Sequence, residues 1–258
     1  MPATTRRSSG TSTARPPRSR TSASAARTDE PRTGHVSSAY EELRRSIVMG
    51  QLPPGARVSE RIVADRLALS RTPVRSALHR LEQEGFVSAV GTGRERRLVV
   101  APLTVEDGRE VFTIVGHLEG LAVRTAALLP APKRKALVAK LRGVNDTLAK
   151  QAKKGNATRF FDLDVEFHRL YVEGVAGPRL LTLHRAIKPQ SERYIRLYVS
   201  VLLDQIGTSV REHERIAATI ARGDADAAQH AVETNWRNAG ERLTHIISQL
   251  GERGSWHV

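Results

Sequence analysis

Between residues 67 and 87 the chain reads LALSRTPVRSALHRLEQEGFV. The spacing of its apolar residues restricts the fold more than any other feature. Val74, Ala77, Leu78 and Leu81 recur at i, i+3, i+4 and i+7, which makes one stripe of a helix and no face of a strand. Ser70 is a residue type that caps helix N-termini, and Pro73 falls in the first turn, where its missing N–H costs little. Gly85 is placed to end the helix as the residue just beyond its cap. At about 100° per residue, Arg71, Thr72, Arg75, Ser76 and His79 share the arc beside the buried stripe. Two arginines four apart are by themselves an ordinary solvated face, so the flanking segments decide what they do.

Upstream, SAYEELRRSIVMG reads as a helix with Tyr40, Leu43, Ile47 and Val48 inward and Gly50 closing it. QLPPGARV is a turn, because Pro53 and Pro54 forbid a continuing helix and Gly55 supplies permissive dihedrals. SERIVADRLAL is a second helix, capped by Ser59, with Ile62, Val63 and Leu67 inward; the short link ALS joins it to the helix above. Downstream, FVSAVGTGRERRLVV reads as strand, glycine-containing turn and strand, with Arg94, Arg96 and Arg97 at the tip. Helix, helix, short turn, helix, hairpin is the order of a winged helix-turn-helix, expected over residues 38–101. In that setting the outward Arg71 and Arg75 enter the major groove, where a guanidinium fork pairs with guanine O6 and N7 or with phosphate.

Composition agrees with a nucleic-acid partner without proving one. The chain carries 41 Lys and Arg against 27 Asp and Glu, a formal charge of +14 over 258 residues, and only 4% aromatic residues. Residues 1–37 are Ser, Thr, Arg, Pro and Ala with almost nothing to bury, and read as a disordered basic tail. Such a tail either adds non-specific phosphate attraction or is a solubilising extension. Cysteine is absent, which excludes disulfides and thiolate metal sites. No apolar run is long enough for a membrane span, and no apolar segment follows Arg6-Arg7 to make a twin-arginine export signal. A cytoplasmic, nucleoid-associated protein is expected.

The segment AYEELRRSIVMGQLPPGARVSERIVADRLALSRTPVRSALHRLEQEGFV resembles the DNA-binding domain of GntR-family bacterial transcriptional regulators. The matching signals are G-x-L-P-P-G, the following Ser-Glu, and S-R-T-P-V-R-x-A-L-x-R-L-x-x-x-G. The resemblance implies groove contacts from Arg61, Ser70, Arg71, Thr72 and Arg75, and places the wing glycine at Gly93. The wing VGTGRERR departs from the family in spacing and is more basic.

After APLT the pattern is helical to the end, with segments at 105–129, 132–154, 158–175, 178–202, 209–222 and 225–250 and a kink expected at Pro189. Six helices with short connections make an all-α bundle over residues 102–254, with no strand needed. The fold class is therefore mainly α: a winged helix-turn-helix with a small hairpin, then a helical bundle. DLDVEFH places Asp164 and His168 at i, i+4 on one helix face, and His213 lies in REHERIAATIARGD. These stretches resemble the FCD ligand-binding domain of the FadR subfamily, whose D-x-x-x-H, E-H and final-helix His commonly hold a divalent metal. Asp164, His168 and His213 match, and Asn235 stands where that last His is expected. A carboxylate with two imidazoles suits Zn, Mn or Ni, and an Asn amide oxygen is a weaker ligand. Two readings stand: a metal centre, or a buried Asp164–His168 pair with His213 hydrogen-bonded nearby. His230 points away and reads as a surface residue.

Relatives often carry R-x-x-L-E early in this domain, the arginine gripping an acid effector; VGHLEG puts Val115 there. Arg193, in SERYIRLY with Tyr194 and Arg196, is the candidate clamp for an organic acid, with a surface or interface role as the alternative. His117 and Glu119 read as structural. The whole implies a homodimeric regulator, more often a repressor, on a palindromic operator, released by a metabolite. The rival is a metal-dependent hydrolase using the Asp/His cluster, against which no general base or oxyanion motif converges.

Overall fold

The computed structural model describes residues 32–202 and 206–254. The N-terminal domain runs α1 (Arg32–Val48), β1 (Arg57–Val58), α2 (Glu60–Leu67), α3 (Arg71–Gln83), β2 (Val87–Val90) and β3 (Arg97–Val100). The C-terminal domain runs α4 (Val105–Ala127), α5 (Ala131–Lys153), α6 (Ala157–Val175), α7 (Pro178–Leu202), α8 (Ile206–Arg222) and α9 (Ala225–Leu250).

Helix α3 forms where the periodicity places it. Val74, Ala77, Leu78 and Leu81 are buried against Tyr40, Leu43 and Ile47 of α1 and Val63 and Ala64 of α2. Gly85 follows its last turn with φ +76°, the left-handed conformation that glycine reaches without a steric penalty. Helix α2 ends in the same conformation without a glycine: Ala68, at φ 53°, returns its N–H to Ala64 and Asp65. That costs about 1 kcal/mol and makes the three-residue turn tight.

Several expectations are corrected. Ser59 and Ser70 occupy the N-cap positions, but neither side chain makes a capping bond, so the Ser70 hydroxyl stays available. Ile62 is exposed, because the inward face of the short α2 is Val63, Ala64 and Leu67. The hairpin gains a third strand: β1 pairs with β3, and the sheet order is β1-β3-β2. Two residues after a Pro-Pro-Gly turn carry no alternation to read. Helix α1 begins at Arg32 rather than at residue 38; Gly34, His35, Ser37 and Ser38 are exposed, so this stretch carries no apolar stripe to read. The expected tail thus lies outside the described residues up to residue 31.

In the C-terminal domain α4 runs through the centre of the bundle, starting from a Thr104 side chain that accepts from the Asp107 N–H. It packs closely on α9 because Gly116 faces Trp236; a Cβ there would sit 2.9 Å from the Trp236 Cβ. Helix α7 runs through Pro189 as one element. Pro189 has no N–H for the Arg185 carbonyl one turn back, and the Arg44 guanidinium of α1 donates to that carbonyl instead. One strand-like contact was unexpected: Leu103 and Arg253 exchange backbone hydrogen bonds, tying the linker to the chain beyond α9.

Candidate functional site

Two regions carry chemistry. The first is the outer face of α3. Arg71, Thr72, Arg75 and Ser76 are exposed, together with Ser70 at its start. Arg75 is aimed by Glu60 of α2, which accepts from its Nε at 3.1 Å and Nη2 at 2.9 Å. Arg61 is exposed and 3.5 Å from Asp65 on the same helix. Exposed pairs of this kind contribute little to stability; their effect is to hold the guanidinium groups in place. In the wing, Gly93 and Arg94 lie in a one-turn helix spanning Gly93–Glu95, Gly93 at φ 54°. Arg96 is exposed and donates to Glu82 of α3 at 3.1 Å.

The second region is a polar cluster inside the bundle. One ligand atom each from Asp164, His168 and His213 lies within 4.8 Å of the others. His168 Nδ1 lies 2.6 Å from Glu119 Oε2, which leaves Nε2 for the cluster. Both ring nitrogens of His213 are buried without a hydrogen-bond partner, and the ring is stacked on Phe167 at 4.0 Å. Its Nε2 is 3.5 Å from Asp164 Oδ1. Burial, and then the neighbouring His168, hold His213 well below its ordinary pKa, so it is neutral; burial pushes the Asp164 carboxyl up. A neutral imidazole and a carboxylate short of partners are the state in which a divalent ion binds. The donor set therefore fits a metal, and the orphaned His213 disfavours the hydrogen-bonded alternative. Asn235 donates its Nδ2 to Glu212 at 3.0 Å, so only its amide oxygen is left to face an ion.

Glu119, which sequence reasoning left as merely structural, is the hub of this cluster. It is fully buried and accepts from Tyr171 at 2.6 Å, Trp236 at 2.9 Å and His184 at 3.0 Å besides His168. Burial pushes its carboxyl up, but the charges of His168 and Lys188 and the bonds from His168 and His184 outweigh it and hold the group well below the usual range. A carboxylate behind a ligating histidine fixes its tautomer and orientation. No spacing rule could have found this hub, since its four partners come from three other helices. Glu212 has a similar role in the adjacent layer, bonded to Asn235, Asn238 and Arg242. His117 is exposed and 3.0 Å from Glu233, and His230 is exposed as expected.

Arg193 is not a clamp in this cluster. Its guanidinium donates to Gln190 at 2.8 Å and to the Ala101 carbonyl at 2.6 Å, buried at the junction of the two domains. Burial brings its pKa down to about 10, so it remains cationic. Gln190 in turn donates to the Glu84 carbonyl at 2.7 Å, capping the end of α3. Tyr194 bonds to Asp107 at 2.6 Å. The run from His184 to Tyr194 thus touches the buried cluster at one end and the last turn of α3 at the other.

A three-stranded wing beside an outward arginine helix, joined to a helical bundle with a buried Asp/His cluster, defines the class: a DNA-binding transcriptional regulator. Residues 35–94 match the family described as bacterial regulatory proteins, gntR family, and residues 110–238 match the FCD domain. The chain belongs to the GntR family of transcriptional regulators, in the FadR-type architecture that joins this DNA-binding domain to an FCD domain. An HTH-type transcriptional regulator of Streptomyces ambofaciens is 30% identical over 217 residues, 83% of this chain and 86% of that one. A probable D-xylose utilization operon transcriptional repressor of Paenarthrobacter nicotinovorans is 29% identical over 205 residues, 78% of this chain and 85% of that one. Among solved structures, E. coli McbR/YncC shares the fold with a TM-score of 0.64 at 19% identity, over 82% of this chain and 98% of that one. The family is one of regulators and not of enzymes, which sets the hydrolase reading aside. Among the described residues, no helix is long and apolar enough to cross a membrane.

Proposed function

We propose that the protein is a homodimeric, cytoplasmic repressor that reads a palindromic operator with Arg71 and Arg75 and is released by a small organic acid bound in the helical domain. The observation that carries this reading is the α3 face: its apolar stripe is buried while Arg71, Thr72 and Arg75 stand exposed beside it. Ser70, with its hydroxyl unused in capping, together with Arg61, Gly93 and Arg94, would hold the phosphates that fix register. Each bidentate guanine contact is worth about 1–3 kcal/mol of discrimination. The repressor sense follows the xylose-operon relative. The dimer is supported by Ile114 and Leu121 on α4 and Leu128 at its C-terminal cap, exposed apolar residues at seven-residue spacing. Two-fold symmetry in the protein would be mirrored in the operator.

In the helical domain Asp164, His168 and His213 would hold Zn, Mn or Ni, with the Asn235 oxygen as a weak fourth donor. Such an ion, when bound, supplies a coordination position for the carboxylate of an effector. The chain itself keeps His213 neutral by burial and His168 oriented by Glu119. Coupling to DNA is supported by Gln190 and Arg193, which bond to Glu84 and Ala101 of the DNA-reading domain. An effector need differ by only about 1.4 kcal/mol in its affinity for the two arrangements to release the operator tenfold. Elemental analysis of protein purified without chelator or histidine tag tests the metal: it is expected in wild type and absent from an Asp164→Ala/His168→Ala variant. Equal metal in both sinks the assignment.

A further inference from the structure

We propose that a cavity between α1, α6 and α7, separate from the Asp164–His168–His213 centre, is a binding site for a small dianion gripped from both domains. The cavity has a volume of about 210 Å³. At about 30 Å³ per water that is room for roughly seven waters, or for a diacid of about four carbons.

Its charge selects the ligand. Arg44 of α1, Arg169 of α6, and Arg185 and Lys188 of α7 line it, against Glu173 and Glu192. Glu173 is already paired with Arg169 at 3.0 Å. Within the cavity Arg44, Arg185 and Lys188 face the Glu192 carboxyl, and Lys188 is also 3.8 Å from Glu119 behind the wall, so positive charge remains in surplus on the lining. Burial pushes the Glu192 carboxyl up, which lessens its opposition to an anion.

The second observation is the hydrogen bonding. The Lys188 ammonium is buried and has no hydrogen-bond partner, and the same is true of Arg44 Nε. Lys188 lies 3.8 Å from Glu119, but that carboxylate is satisfied by four other donors; the ammonium otherwise rests on the Trp236 ring at 4.2 Å. Buried N–H donors without a hydrogen-bond acceptor are costly, and an anion entering the polar cavity beside them supplies one. The ligand would sit where Arg44 already reaches the Arg185 carbonyl, so binding would change how the DNA-reading domain is held.

Isothermal titration calorimetry of the full chain, freed of metal by dialysis against a chelator, tests this at constant ionic strength with succinate and, separately, inorganic phosphate. One anion per chain is expected to bind saturably. Lys188→Met and Arg44→Met should each weaken binding about tenfold, while Lys140→Met, which removes an exposed cation of α5, should leave it unchanged. Succinate binding would assign carboxylates, and phosphate binding a phosphoryl group. Arg185→Met serves if Lys188→Met fails to fold. Saturation by neither anion, or affinities indifferent to Arg44, Lys188 and Arg185, overturns the proposal and leaves the metal centre and the DNA-reading face untouched.

Discussion

Removing the Glu119 carboxylate should cost the helical domain a substantial part of its stability, whereas replacing it by its amide should cost little more than one hydrogen bond. Oε2 accepts from His168, Tyr171 and Trp236, and Oε1 accepts from His184. Glu119→Ala removes the acceptor of three buried donors and of the part-buried His184, while His168 Nδ1 keeps the Tyr171 hydroxyl 2.7 Å away. At about 1–3 kcal/mol for each buried group left unpaired, the loss is at least about 2 kcal/mol against a typical total of about 5–15 kcal/mol. Glu119→Gln keeps an oxygen for the first three, and its NH₂ then faces His184, which can accept by switching tautomer. Lys188 alone meets a wrong partner, so the loss is about 1–3 kcal/mol. Urea denaturation of the metal-free variants, followed by far-UV circular dichroism, measures both. If Glu119→Ala lies within about 1 kcal/mol of wild type, or matches Glu119→Gln, the hub is not what holds these helices together.

Other outcomes follow from the same geometry. His213 is held neutral by burial, so below about pH 6.5 the unfolded chain takes up a proton that the folded chain refuses. Metal-free stability should therefore fall with pH there, by up to about 1.4 kcal/mol per unit, and His213→Gln should flatten that slope in denaturation at pH 7 and pH 5.5. Glu60→Gln frees Arg75 from its guide and should reduce operator preference by up to about tenfold while leaving non-specific binding near wild type, read by anisotropy on matched and scrambled duplexes. Gln190→Ala removes the side chain that caps α3 and should raise amide hydrogen exchange around Glu84–Phe86 at a cost of about 1 kcal/mol; unchanged exchange would show that α7 does not hold α3.

The DNA-reading half was legible because its signals are local. A 3.6-residue stripe, Gly85 at the end of α3 and the Pro-Pro-Gly turn each act over a few residues, and the helix, turn and wing lie where they indicate. What escaped is whatever depends on distant pairing. Strand β1 is two residues long and exists only because β3 lies beside it. Arg193 looked like an anion clamp because sequence shows a cation but not the Ala101 carbonyl that it serves. Asp164, His168 and His213 were legible through family spacing, while the Glu119 hub and the orphaned Lys188 were not, their partners being scattered over α4, α6, α7 and α9. At Pro189 sequence shows the missing N–H but not Arg44, far away in sequence, which donates to the Arg185 carbonyl that Pro189 leaves free.

The central claim, that the arginine face of α3 reads base sequence, is tested most directly by binding-site selection. Wild type and an Arg71→Ala/Arg75→Ala variant would be challenged with a randomised duplex pool and with the chain's own upstream region, at several salt concentrations. Wild type should enrich a two-fold symmetric sequence, and the variant should keep only weaker, salt-sensitive binding without preference. Enrichment of the same sequence by the variant would contradict the account.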